Sequence, residues 1–185
     1  MAERGRDTGS DVTGTGPLAA ITEIRGLGMI LIRADLTRAG DALAEAAGLA
    51  VPAATRFTTD GARWLGWMAP DELLLILPAT ETAATLAALR DALSTEAALV
   101  EDVSAMRCVF DLSGLRAAEV LMKLTPADLS ALPADGLRRT RAAQVACALW
   151  RHGDGWRVIA FRSIRDYLAE VLARAAAPGT GLAPR

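Results

Sequence analysis

One order of elements runs through this chain twice, and that repetition limits the folds open to it more than any single motif does. In the first pass, residues 28–34 (GMILIRA) read as a strand, with β-branched residues following a glycine. Asp35-Leu36-Thr37 opens a helix with Thr37 at the N-cap position. Leu36, Ala39, Leu43, Ala46 and Ala47 share its apolar face, and Gly48 ends it. Two strands follow over 62–69 and 72–78, meeting at Pro70-Asp71. The run Leu73-Leu74-Leu75-Ile76-Leu77 is apolar on both faces, which places that strand inside a sheet covered on both sides. Thr80 then caps a helix carrying Ala83, Leu86, Leu89 and Leu93 on one face.

The second pass repeats the order. Residues 104–112 read as a strand, and Ser113 caps a helix with Leu115, Ala118, Leu121 and Met122. A hairpin is predicted over 141–151 and 156–161, across His152-Gly153-Asp154-Gly155, where Asp-Gly is a strong turn signal. Ser163 caps the last helix, whose Ile164, Tyr167, Leu168, Val171 and Leu172 follow helical spacing. The junctions match as well: Asp35-Leu36-Thr37 corresponds to Asp111-Leu112-Ser113. The expected fold is therefore α+β, built from two pseudo-repeated βαββα halves of ferredoxin-like type. The halves cover residues 18–99 and 100–175, between flexible tails at 1–17 and 176–185 where periodicity is weak and breakers are frequent.

Composition removes several functional classes. Twenty basic residues against 22 acidic ones give a formal net charge of −2, with no cationic excess to hold a nucleic-acid backbone. Residues 1–17 are polar, and no run reaches the ~18–20 apolar residues that a membrane span needs, so a soluble, cytoplasmic protein is expected. Cys108 and Cys147 lie in apolar runs, as packing thiols do. With His152 the only histidine, a metal site lacks donors.

The search for chemistry returns mostly negatives. Gly26-Leu27-Gly28 precedes a strand, whereas a dinucleotide fingerprint follows one. His152 offers a general base, but it sits in the expected hairpin turn beside Arg151 and Asp154, where a solvated role is favoured. Asp111 alternates with Arg107 on one face of an apolar strand, which either charge pairing or a partner contact explains, a local ion pair being favoured. Trp64 and Trp67 are the notable pair: they point to opposite faces of one strand. Both are sheltered only if that strand is covered on two sides, which makes them candidate interface residues.

Several strings carry a family resemblance. They are Asp102-Val103-Ser104-Ala105-Met106-Arg107 leading into Phe110-Asp111-Leu112-Ser113-Gly114, and Leu121-Met122-Lys123-Leu124-Thr125-Pro126. Arg141-Ala142-Ala143-Gln144-Val145, Leu149-Trp150-Arg151 and Phe161-Arg162-Ser163 before Tyr167-Leu168 continue the pattern. Together they resemble the gamma subunit family of heterotetrameric sarcosine oxidase, most clearly over 102–172. That family looks like the folate-binding part of aminomethyltransferases. The resemblance implies a non-catalytic subunit working with alpha, beta and delta subunits. The complex would convert sarcosine to glycine and hydrogen peroxide, and with tetrahydrofolate would yield methylenetetrahydrofolate. It also implies that FAD, FMN, NAD and zinc belong to the complex rather than to this chain, and it carries over no catalytic, cofactor or metal position. A free-standing folate-binding protein and a structural subunit of another amine dehydrogenase remain alternatives.

Overall fold

The computed structural model describes residues 17–182. Of the expected N-terminal tail over 1–17, residues 1–16 lie outside the described residues, as do 183–185. The first pass comprises β1 (Ala20–Ile24), β2 (Leu27–Arg33), α1 (Leu36–Ala47), β3 (Phe57–Thr59), β4 (Trp64–Ala69), β5 (Glu72–Pro78) and α2 (Thr82–Ala92). The second comprises β6 (Leu99–Asp102), β7 (Arg107–Ser113), α3 (Ala117–Met122), β8 (Leu137–Ala142), β9 (Val145–His152), β10 (Gly155–Phe161) and α4 (Arg165–Ala176). The duplication is thus present, and each copy is longer than βαββα, with an added strand at the start and another before the hairpin.

The strands form two five-stranded sheets, β1-β7-β10-β9-β8 and β6-β2-β5-β4-β3. Read in this direction the two orders correspond position by position. The first strand of each copy lies in the other copy's sheet: Ile24 of β1 sits opposite Val109 of β7, and Asp102 of β6 opposite Ile30 of β2. Within each sheet, β2 and β4 flank β5, and β7 and β9 flank β10, all antiparallel. The flanking strands therefore run parallel, which requires a crossover, and α1 and α3 lie on those crossovers.

The sheets stack face to face, with helices on both outer sides. Three cores result. One lies between α1, α2 and their sheet, with Ile30, Leu43, Leu73, Leu75 and Leu89. Another lies between α3, α4 and theirs, with Phe110, Leu112, Leu121, Leu149 and Leu168. The third joins the sheets through Met29, Trp64, Leu74, Ile76, Val109, Trp150 and Ile159. This explains the five-residue apolar run of β5. Leu73, Leu75 and Leu77 face the helices, while Leu74 and Ile76 face the opposing sheet.

Several local expectations move by a few residues. Asp35 caps α1, accepting from the Thr37 amide at 3.0 Å, so Thr37 is inside the helix. Gly48 ends it at φ 70°, as expected. Ahead of α2 and α4 the chain makes 3-10 turns, Ala79–Glu81 and Arg162–Ile164, and neither Thr80 nor Ser163 caps its helix. A third such turn, Ser104–Met106, replaces the start of the expected strand. Ser113 ends β7 rather than capping α3, and Leu115 is exposed, so Asp111-Leu112-Ser113 lies within β7 and does not correspond to Asp35-Leu36-Thr37 at the start of α1. The expected strand over 141–151 is in fact the end of β8, a tight turn at Ala143-Gln144, and β9. Ala143 holds φ at 51°, a conformation that usually calls for glycine or asparagine, so the sequence carries no turn signal there.

The intersheet core is anchored by Trp64 and Trp150, whose rings stack at 4.3 Å between centroids, 26° from parallel. Gly66 makes room for this, since a Cβ there would lie 2.0 Å from the Trp64 ring. The Trp64 indole N–H is buried without a partner. Trp64→Ala should therefore destabilise the isolated chain by about 3–5 kcal/mol in urea unfolding. Trp64→Phe should cost clearly less, because it retains aromatic packing and removes the orphaned donor. Equal losses would contradict this account of the site.

Candidate subunit interface

Strand β4 is covered on both faces by the chain itself. Trp64 is 6% exposed and packs between the sheets, whereas Trp67 turns toward the helix-side core of the first sheet and is half-buried. Their alternation is thus accounted for by an intramolecular four-layer packing, and Trp64 presents almost nothing to the surface. Trp67 keeps one margin in an open cleft of about 280 Å³ with Thr55, Met68, Leu137, Arg138 and Arg139. Of the two candidate interface residues, only Trp67 reaches a surface concavity.

The other residues singled out in the sequence are dispersed. Asp111 is ion-paired, as expected, but with Arg157 directly across on β10 at 3.2 Å and not with Arg107. Arg107 instead lies over the Phe161 ring, 4.4 Å from its centroid. His152 ends β9 at the hairpin, and the turn residues proper are Gly153 and Asp154. Gly155 opens β10 and serves close packing, because a Cβ there would lie 1.9 Å from the Leu112 carbonyl oxygen. Desolvation, then the charge of Arg157, lowers the His152 pKa. Among the described residues no hydrogen bond joins it to a nucleophile.

Cys108 and Cys147 are buried thiols that flank Ala160 on β7 and β9. Two strand spacings separate them by about 9.5 Å, beyond the ~7 Å that a disulfide tolerates. Burial pushes the Cys147 thiol up to about 11 and raises Cys108 as well. Among the described residues no group of three or more His, Cys, Asp or Glu side chains could hold a metal ion. No helix among them is long and apolar enough to cross a membrane.

Two charged features escaped the sequence reading. The first is Glu23 on β1, whose side chain is 8% exposed. It accepts from Arg165 at 2.8 and 3.2 Å, from Arg25 at 3.0 Å and from Arg162 at 3.5 Å. It pins the exchanged strand to the turn before α4 and lines a cleft of about 420 Å³. The second is β8, whose Leu137-Arg138-Arg139-Thr140-Arg141 puts three arginines into five residues. That density was the available signal, and it becomes meaningful once 137–142 is recognised as an edge strand.

Hydrogen bonding from Arg165, with the charges of Arg165 and Arg25, holds the Glu23 carboxyl below its ordinary value of 4.5. A depressed folded-state pKa contributes stability above the unfolded value and loses it as pH falls through the folded one. Glu23→Gln should cost about 1–2 kcal/mol at neutral pH, measured by urea unfolding. The gap from wild type should close as pH falls below 4.5. A gap that persists at pH 3 would show that packing, not charge, explains the loss.

Residues 33–178 match the family described as "Sarcosine oxidase, gamma subunit family". The sarcosine oxidase subunit gamma of Corynebacterium sp. (strain U-96) is 38% identical over 133 residues, 68% of this chain and 63% of that protein. The chain thus spans just under two thirds of that curated relative. A chain of a heterotetrameric sarcosine oxidase from Corynebacterium sp. U-96, solved in complex with pyrrole 2-carboxylate, superposes with a TM-score of 0.82. It is 31% identical, over 90% of this chain and 88% of that one. The glycine cleavage system aminomethyltransferase T from Bartonella henselae superposes at TM-score 0.63 and 19% identity, over 85% of this chain and 46% of that one. At that identity the likeness concerns the fold alone.

Proposed function

The chain belongs to the sarcosine oxidase gamma subunit family, and from that premise we propose that it is a non-catalytic structural subunit of a heterotetrameric sarcosine oxidase. The observation that carries this reading is fold agreement at TM-score 0.82 over nearly the full chain with a member of such a complex. In this reading the partners are alpha, beta and delta subunits, and the assembly resides in the cytoplasm. The assembly oxidatively demethylates sarcosine to glycine with hydrogen peroxide, and with tetrahydrofolate yields methylenetetrahydrofolate. FAD, FMN, NAD and zinc are held by the other subunits, and tetrahydrofolate acts in the complex.

The chain's own residues support a scaffolding role. Several of its carboxylates are held in ion pairs: Asp111 with Arg157, Glu23 with three arginines, and Glu81 with Arg63 at 2.6 Å. Both thiols are held away from thiolate, and His152 has no nucleophile to activate. The polar side chains described thus hold the four layers together or meet solvent, and a rigid block of this kind contributes surface. Trp67, in its open cleft, is the residue of the sequence-predicted pair suited to a partner contact.

Expressed with the proteins encoded beside it, the chain should co-purify in a yellow complex that oxidises sarcosine. Purified alone it should be colourless and inactive. A chain that elutes alone while its neighbours form a fully active complex without it would overturn the assignment. So would stoichiometric flavin absorbance in the isolated chain.

A further inference from the structure

Sheet β1-β7-β10-β9-β8 is covered unevenly on its inner face. The opposing sheet covers its middle, where Val109, Ile159, Ala148 and Trp150 are buried. One register step further, toward the Arg107 end of β7, the cover stops. There Arg107 on β7 sits opposite Phe161 on β10, and Arg141 on β8 sits opposite Ala146 on β9. Phe161 is 45% exposed, and Ala146 and Arg141 are exposed. The small residues Ala146 and Ala148 floor a cleft of about 310 Å³, walled by Arg107 and Phe161 on one side and Arg139 on the other. Met68 roofs it, and its carbonyl accepts from Arg139 at 2.8 Å. The smaller cleft beside Trp67 shares Met68 and Arg139 and adds Arg138.

Two properties of this surface point the same way. The first is charge. Among the described residues, none of Arg107, Arg138, Arg139 and Arg141 has a carboxylate within ion-pair distance. Glu72 is the carboxylate whose field reaches Arg107, and it already neighbours Arg33 at 4.0 Å. The Arg107 Nε is buried without an acceptor. Three unneutralised guanidiniums, those of Arg107, Arg139 and Arg141, thus share one face of a chain whose formal net charge is −2, with Arg138 alternating to the other face of β8. The second is the backbone. β8 is an edge strand, hydrogen-bonded to β9 on one side. Its Leu137 amide points to the other side and bonds the Thr55 carbonyl at 2.9 Å. Strand alternation turns the amides of Arg139 and Arg141 to that same outer edge, where among the described residues no backbone bond meets them. Edge strands are natural templates for an added strand, and arginine suits carboxylates geometrically.

We propose that the open edge of β8, together with the Arg107–Phe161–Ala146–Arg141 row beside it, docks an extended acidic segment of a partner subunit. The segment adds to β8 as a strand, its carboxylates meeting Arg139 and Arg141. Two linked open clefts along a strand edge fit a polypeptide better than a single small anion, which would need an enclosed cavity. The proposal rests on the subunit reading above and assigns the contact within it.

The test uses the full chain and the proteins encoded beside it. R139E/R141E changes two exposed arginines, and R174E, on the remote and exposed end of α4, controls for charge alone. Thermal melts should place both variants within a few degrees of wild type. In binding assays at low salt, R139E/R141E should lose at least tenfold in affinity, and its salt dependence should be shallower than wild type's. R174E should lose less than threefold. Amide exchange at Arg139 and Arg141 should slow at least tenfold on complex formation, a readout of strand addition that charge alone does not produce. R139E/R141E binding with wild-type affinity and salt slope would overturn the proposal, as would unchanged exchange along β8 in the complex. If affinity rises on deletion of residues 1–16, the chain's own N-terminal segment occupies the surface, and the proposal is overturned in favour of self-masking. Failure of wild type to bind its neighbours at all would instead remove the subunit reading itself.

Discussion

Everything in this architecture follows from the pressing of two sheets against each other while helices cover their outer faces. A central strand in such a stack has no solvent face, so both of its side-chain rows must be apolar. β5 meets that demand with five consecutive fully or nearly fully buried residues, Leu73 to Leu77. The intersheet layer is thin in residues and heavy in ring area, with Trp64 stacked on Trp150 and Phe57 tilted against Trp64 at 5.6 Å. Stacked aromatic pairs contribute about 0.5–1.5 kcal/mol beyond simple area burial. Here they also set the separation of the sheets, and Gly66 is small because the ring lies over it.

The exchange of first strands adds a second lock. β1 completes the sheet of the second copy, and β6 completes that of the first. Neither copy can close its own sheet, so the two are expected to unfold as one unit. Glu23 reinforces the exchange by holding β1 to Arg162 and Arg165 ahead of α4. At the other end of the chain, the Lys123 ammonium donates to the Ala175 and Thr180 carbonyls, and the Leu182 amide to Glu119 at 3.2 Å.

Much of this was legible in the sequence because apolar periodicity reports burial. β2, β4, β5, α1 and α4 stand where the pattern puts them, within a few residues. The strands that the pattern misses are all at sheet edges. β1 (AITEI), β3 (FTT), β6 (LVED) and β8 (LRRTRA) have one neighbouring strand each and are very short or carry charges, so they lack the apolar signal of a covered strand. Helix caps fail for a different reason. Thr80 and Ser163 look like N-caps, but a 3-10 turn intervenes and leaves them without that role. The tryptophan pair was read correctly as needing cover on two faces. What the sequence could not convey is that the second copy of the same motif supplies that cover.

The duplication sharpens the meaning of the places where the copies differ. In equivalent positions along the inner faces, β2 carries Leu27, Met29 and Leu31 against Pro78, Ile76 and Leu74 of β5. β7 carries Arg107, Val109 and Asp111 against Phe161, Ile159 and Arg157 of β10. One copy is apolar along the whole row, and the other keeps only its central pair apolar. If stability alone had shaped the second copy, apolar ends would have served it as they serve the first. At the Asp111 end the charges neutralise each other across one strand spacing, so that end is complete in itself. At the Arg107 end a guanidinium lies on an exposed ring, with further arginines on the neighbouring edge strand. Like charges gathered on one face repel one another, and burying part of a guanidinium without an acceptor is unfavourable. Such a cluster is therefore better explained by something outside this chain than by the fold it sits on, and it marks the face where the symmetry of the frame gives way to a specific task.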